Sequence, residues 1–241
     1  AKRTADALAF FAPNVECLSF PAWDCLPYDR VSPLVDVVSQ RIDALTRLLD
    51  PRPEHTGRIV LSTVSAVLQR VPPGKSFAGA VIKVATGDRL DPQDVVRFAL
   101  GHGYTDSETV MEAGELAVRG GILDIFPPGR AQPVRLDFFG DEVEAIRTFD
   151  PASQRTTGTI AAVTVKPVSE VPLDAAAVTR FRSGYRTAFG AVGDDDPLYA
   201  AISEGRRHIG FEHWLPLFHE HLETLFDYLP DAIVVLDNQA E

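Results

Sequence analysis

The chain has 241 residues, 45% of them hydrophobic and 24% charged, with a formal net charge of -11. That length can bury a sizeable core and fits one large or two ordinary domains, while the acidic balance argues against a surface that grips nucleic-acid phosphates unaided. Cys17 and Cys25 make neither a disulfide framework nor a zinc ligand set, and no apolar run is long enough to cross a bilayer and no signal peptide opens the chain, so a cytoplasmic location without membrane contact is expected.

A helical pattern (Ala5, Leu8, Ala9, Phe10) comes first, then a strand over Val15 to Phe20. Phe20 to Pro33 holds three prolines after its first residue and reads as an ordered loop. Leu34, Val38, Ile42, Leu45 and Leu49 recur at helical spacing. Arg58 to Ser62 is a short buried strand, and Thr63 caps a helix running to Val71. Alternating strand and helix predict an α/β layer on a largely parallel sheet.

After the connector Pro72 to Gly79 the period changes: a strand over Ala80 to Ala85, a helix over Pro92 to His102, then successive strands from about Thr109 to Val168. Helices return at Ala175 to Phe189, Pro197 to Glu204 and Trp214 to Tyr228, and Ala232 to Leu236 reads as a strand of the first sheet. The fold class expected is therefore α/β, interrupted by an inserted β-rich α+β domain. The first α/β segment covers 1–78, the insert 79–168 and the second α/β segment 169–241. Both ends read as cut from a longer protein.

Within the insert, Gly140-Asp141 is a two-residue turn signal. Counting outward, Phe139 should face Glu142, Phe138 face Val143, Asp137 face Glu144 and Arg135 face Ile146. Alternation then buries Val134, Leu136, Phe138 and Val143 and turns Arg135, Asp137, Phe139, Glu142, Glu144 and Ile146 outward. An outward arginine and bare phenylalanine among acids suit a partner-binding face. The plainer reading is that Arg135 neutralises the like-charged pair of Asp137 and Glu144.

Other motifs are weaker. Gly74-Lys75-Ser76 lacks the first glycine of a phosphate-binding loop, since Gln69 stands there, and two prolines remove N–H groups such a cradle needs. His219 and Glu223 are four apart, yet the pattern is not that of a zinc site, so a solvated helix face beside packed Trp214 and Phe218 is expected. Asp194 to Asp196 before Pro197 suits a helix N-terminus. No catalytic residue, cofactor site or metal site is expected.

Several segments together resemble the N-terminal region of the bacterial transcription-repair coupling factors. They are Leu26-Pro-Tyr-Asp-Arg-Val-Ser-Pro33 with Arg41-Ile-Asp-Ala-Leu45, then Gly114-Glu-Leu-Ala-Val-Arg-Gly-Gly-Ile-Leu-Asp-Ile-Phe126 and Arg135-Leu-Asp-Phe-Phe139. Phe149-Asp-Pro-Ala-Ser-Gln-Arg-Thr156 and Glu212-His-Trp-Leu-Pro-Leu-Phe218 extend the likeness over nearly the whole chain. The middle block is shared in looser form with the excinuclease protein UvrB, but between Trp23 and Leu45 there is no room for that protein's aromatic β-hairpin.

The resemblance implies a degenerate P-loop-type, helicase-like α/β domain that does not hydrolyse ATP, plus an inserted domain that binds the excinuclease protein UvrA. Carried over motif by motif, the contact residues are Arg119, Arg135 and Phe139. It further implies a parent that is an ATP-dependent DNA translocase, whose motor (with ATP and magnesium) and contacts to RNA polymerase and DNA lie in other domains. The resemblance also implies that a C-terminal domain masks this face in the resting parent. The competing expectation, from a different class, is a DNA- or nucleotide-binding domain of a helicase such as UvrB.

Overall fold

The computed structural model describes residues 2–26, 30–50, 57–190 and 196–236. Pro27, Tyr28 and Asp29 of the proline-rich motif, and Asp194 and Asp195 of the acidic run, lie outside the described residues. The architecture is mixed α/β.

Helix α1 (Lys2–Phe11), strand β1 (Glu16–Phe20), helix α2 (Val35–Leu49), strand β2 (Arg58–Ser62) and helix α3 (Val64–Val67) come first. β1 and β2 pair in parallel, from Glu16 beside Arg58 to Phe20 beside Ser62. Ala44 and Leu45 of α2 close over Leu18 and Phe20 in one apolar cluster. Thr63 caps α3 by accepting a bond from the Ala66 N–H. The helix stops at Val67 instead of reaching Val71, because Val71 exchanges both backbone hydrogen bonds with Glu223, each at 2.9 Å, and precedes a proline that disfavours helix.

Next come β3 (Ile82–Ala85), α4 (Pro92–Gly101), β4 (Thr105–Asp106), β5 (Glu115–Arg119), β6 (Ile122–Ile125), β7 (Val134–Phe139), β8 (Glu142–Phe149), β9 (Thr156–Ile160) and β10 (Ala162–Val165). β4 to β9 form a six-stranded sheet in sequence order, and β10 pairs antiparallel with β3 as a separate ribbon. That ribbon and α4 cover one face of the sheet. Val84, Val95, Ala99, Val163 and Val165 meet Leu116, Leu123, Ile125, Val134, Leu136, Phe138, Val143 and Ile146 there. Asp91 caps α4 ahead of Pro92, whose fixed φ and missing N–H suit a first helical position.

The last part holds α5 (Ala175–Phe189), α6 (Pro197–Ser203) and α7 (Leu215–Phe218) around Phe181, Ile202, Phe211, Leu215 and Phe218. The helix expected from Trp214 to Tyr228 is broken into a 3-10 turn over Phe211–Trp214, α7, and a 3-10 turn over Leu225–Tyr228. The chain leaves the helix extended at His219, and a capping box between Thr224 and Asp227 starts the last turn afresh. Ala232 to Leu236 is not a strand: it pairs with no described residue, and Ile233 is 92% exposed.

Arg41 ties these parts together. It is fully buried and forks onto Glu170, with Nε to Oε1 at 2.5 Å and Nη2 to Oε2 at 3.2 Å. Its Nη1 donates to the Pro21 carbonyl at 2.9 Å and to Gln69 Oε1 at 3.0 Å. Its face stacks over Phe20 and Trp23, and Trp23 Nε1 donates to Glu170 Oε1 at 3.2 Å. A buried charge is tolerable only when satisfied in this way. Nearby, Lys166 Nζ lies 2.6 Å from Asp43 Oδ1 and Ser39 Oγ accepts from Gly129 N at 3.0 Å, so α2 grips both the β-rich part and the residues that leave it.

Candidate protein-interaction surface

The other face of the six-stranded sheet is open over most of its area. Residues paired across neighbouring strands point to the same side, so the register sorts the face into rows. One row runs Ala117, Asp124, Arg135, Arg147, Thr159, and the next runs Arg119, Ile122, Asp137, Ala145. Phe139 and Glu142 close the hairpin end. The Ala117 end is roofed by Val110, Phe126 and Phe149.

The turn itself is as expected: Gly140 takes φ +63, a left-handed value that glycine adopts without strain. Phe139 faces Glu142 and Phe138 faces Val143. Beyond that point the expected register fails by one residue. Glu144 is an extra, exposed residue in β8, and Asp137 faces Ala145, Leu136 faces Ile146 and Arg135 faces Arg147. The cause is the spacing of β8. Val143 and Ile146 are both fully buried in the same apolar cluster yet stand three positions apart, which a strand of period two cannot accommodate without a bulge. The second shift falls between Thr148 and Phe149. Ile146 is therefore in the core, not on the open face, and the clash of Asp137 with Glu144 does not arise.

The hairpin end is held firmly. Gly87 N donates to the Val143 carbonyl at 2.8 Å and Leu90 N to that of Asp141 at 2.8 Å, covering the free edge of β8. At Gly121, Phe138 N donates to the glycine carbonyl at 2.8 Å, and a Cβ there would sit 2.8 Å from the Phe138 oxygen. Only glycine lets β6 come this close.

Phe139 stands on this rigid end with 77% of its surface exposed. Arg135 lies on the same side of β7, four residues away, or roughly 13 Å along the strand. The charge of Asp137 acts on it favourably, but its hydrogen bonds go elsewhere. Its Nε and Nη2 grip both oxygens of Asp124 at 2.7 and 2.8 Å, and its guanidinium stacks 4.8 Å from the Phe149 ring centre. Asp124 holds the guanidinium above its ordinary pKa, against the opposing effect of burial. Arg147 instead lies 3.2 Å from Asp137 Oδ2, without the alignment of a hydrogen bond. Arg119, exposed at the end of β5, donates to the Glu108 carbonyl and to Thr109 Oγ1 at 3.3 Å.

Arg119, Arg135 and Phe139 thus share the open face. Asp124 and Arg147, which sequence reasoning missed, complete the charge arrangement. A signal for Asp124 existed, since a carboxylate inside Ile122-Leu-Asp-Ile125 must be satisfied by a cation if the strand is central.

The weaker motifs resolve otherwise. Gly74–Ser76 is a 3-10 turn whose Gly74 N–H is taken by Glu223 Oε2 at 2.9 Å, and Lys75 pairs with Glu220 at 2.7 Å. His219 is buried rather than on a solvated helix face. Its Nε2 donates to the Glu170 carbonyl at 2.9 Å and its Nδ1 lies 3.4 Å from Ser76 Oγ. Asp196 caps α6 through the Tyr199 N–H at 2.9 Å. Among the described residues no three His, Cys, Asp or Glu side chains are grouped to hold a metal ion, and no helix is long and apolar enough to cross a membrane.

Comparison with known proteins matches residues 82–170 to the family model of the UvrB interaction domain. The chain is 40% identical over 239 residues to the transcription-repair-coupling factor of Haemophilus influenzae, covering 98% of this chain and 20% of that protein. It is 38% identical over 232 residues to the transcription-repair-coupling factor of Escherichia coli strain K12, covering 95% and 20%. For that of Myxococcus xanthus the figures are 37% identity over 251 residues, covering 95% and 20%. The chain therefore spans about one fifth of the length of these curated relatives.

Proposed function

We infer that this chain, an excinuclease-B-like module of the transcription-repair coupling factor family, docks the excinuclease protein UvrA on the open face of its six-stranded sheet. The observation that carries this reading is Phe139, an aromatic ring 77% exposed at a clamped hairpin end, beside Arg135 held ready by Asp124. Aromatic and arginine side chains dominate binding hot spots, and groups already held on rigid elements lose little freedom when a partner covers them. Arg119 extends the contact toward β5. The match to the UvrB interaction domain falls on this same sheet.

The wider role follows from the family. The parent is an ATP-dependent DNA translocase acting at stalled RNA polymerase in nucleotide excision repair. Its motor, ATP, magnesium and DNA contacts belong to other domains, and this part recruits the excision machinery in the cytoplasm without catalysis of its own. The α/β segments on either side of 79–168 form a degenerate P-loop-type, helicase-like scaffold, and a C-terminal domain masks the docking face at rest.

Because Arg135 also satisfies a buried carboxylate, Phe139→Ala is the decisive variant. With purified UvrA, its dissociation constant rises by about tenfold or more, while its thermal unfolding matches the wild type. Unchanged affinity for Phe139→Ala, or no complex with the wild type, rejects the reading.

A further inference from the structure

The register places two arginines side by side on the open face. Arg135 and Arg147 are cross-strand partners, with Cβ atoms roughly 5 Å apart. Like charges directly opposite one another destabilise a sheet unless something offsets them. What offsets them here lies underneath. Side-chain exposure is 2% for Asp124 and 16% for Asp137, against 19% for Arg135 and 46% for Arg147. The carboxylates are sunk and the guanidinium groups stand above them, so the surface presents positive charge although the count of charges balances.

The geometry also leaves donors outward. Asp124 occupies the Nε and Nη2 side of Arg135, which leaves Nη1 without a protein partner among the described residues. Arg147 comes nearest to Asp137 through Nε, and its terminal amino groups make no hydrogen bond to the described residues. Two guanidinium ends on adjacent strands, each backed by its own carboxylate, form a socket for one more anion between them. On a chain of net charge -11, such a cationic spot selects an acidic partner by contrast with its surroundings.

We propose that Arg147 is a further docking residue, and that Arg135 and Arg147 together receive a carboxylate of UvrA. This rests on the reading above and adds the chemistry of the contact: an Asp or Glu side chain of the partner, bound by charge-assisted hydrogen bonds from both guanidinium groups. Phe139, at the hairpin end of the same face, supplies the apolar part of the interface.

The test measures the dissociation constant of the chain for purified UvrA, with folding checked by thermal unfolding. The variants are Arg147→Glu, Arg147→Ala, Phe139→Ala, Arg135→Gln alone and with Arg147→Ala, and a control, Arg97→Glu, on the exposed side of α4 behind the sheet. Arg147→Glu is expected to weaken binding by about tenfold or more, with a slower association at low salt, and Arg97→Glu to stay within about twofold. In an Arg135→Gln background, Arg147→Ala should cost less than it does alone, as for two residues sharing one anion. If Arg147→Glu binds like the wild type while Phe139→Ala fails, the paired socket is wrong and the docking reading stands. Equal losses for Arg147→Glu and Arg97→Glu also overturn it, as a general charge effect. Absence of any wild-type complex overturns both.

Discussion

Asp124 holds Arg135 from the side, one carboxylate oxygen to Nε at 2.7 Å and the other to Nη2 at 2.8 Å. The pair joins β6 to β7 at directly opposed positions. It makes Arg135 two things at once: the cation that lets a central strand carry a buried acid, and a planar donor set that faces outward without freedom to swing away. Preorganisation of that kind removes part of the ordering cost of binding.

Breaking the pair is therefore expected to be asymmetric. Arg135→Ala strands a carboxylate that is only 2% exposed and should lower stability by about 3 kcal/mol. Asp124→Asn leaves a cation with access to water and should cost about half as much, because the amide still accepts one bond. Chemical denaturation of both variants checks the order, and a larger loss for Asp124→Asn would contradict it.

Phe139→Ala should leave stability within about 0.5 kcal/mol of the wild type, since the ring is 77% exposed and the core begins at Phe138. Denaturant midpoints measure this directly. A substantial loss would mean that the ring packs in solution and is not free for a partner.

Arg41 predicts the opposite profile. Removing it with Arg41→Met abandons Glu170, whose carboxylate also accepts from Trp23, and should destabilise by about 3–5 kcal/mol. Affinity for UvrA, measured below the unfolding transition, should be unchanged, because the pair lies away from the open sheet face.

His219 makes stability fall in acid. Burial lowers its pKa below the value of 6.5 of the free side chain, although the bond to the Glu170 carbonyl works the other way. In the folded state the neutral ring is favoured, so the unfolded chain binds the proton first as pH falls through 6.5. Its contribution is fully present above that pH and is lost progressively below it, down to the depressed folded value. Melting temperatures from pH 8 to 5 should drop less steeply for His219→Gln than for the wild type. Parallel curves would show that His219 titrates alike in both states.

Local rules were legible in the residues themselves. α5 runs from Ala175 to Phe189 as its pattern requires, the turn at Gly140 forms, and Phe138 and Phe139 part to opposite sides of β7. Each of these depends on neighbours within a turn or a hairpin, where period and φ preference suffice. The register beyond the turn depends instead on which β8 residues the core demands. Val143 and Ile146 must both reach the apolar core behind the sheet, so Glu144 is squeezed out and Arg147, not Ile146, comes to lie beside Arg135.

Likewise, the run from Ala232 to Leu236 has a strand's composition but pairs with no described residue. A strand is defined by its hydrogen-bonding neighbour, and no neighbour is written into its own residues. The sequence by itself determined that an arginine and a phenylalanine share one outward face. Tertiary structure decided which carboxylate anchors that arginine and which cation stands next to it, because both are set by pairing across strands and by the core behind them.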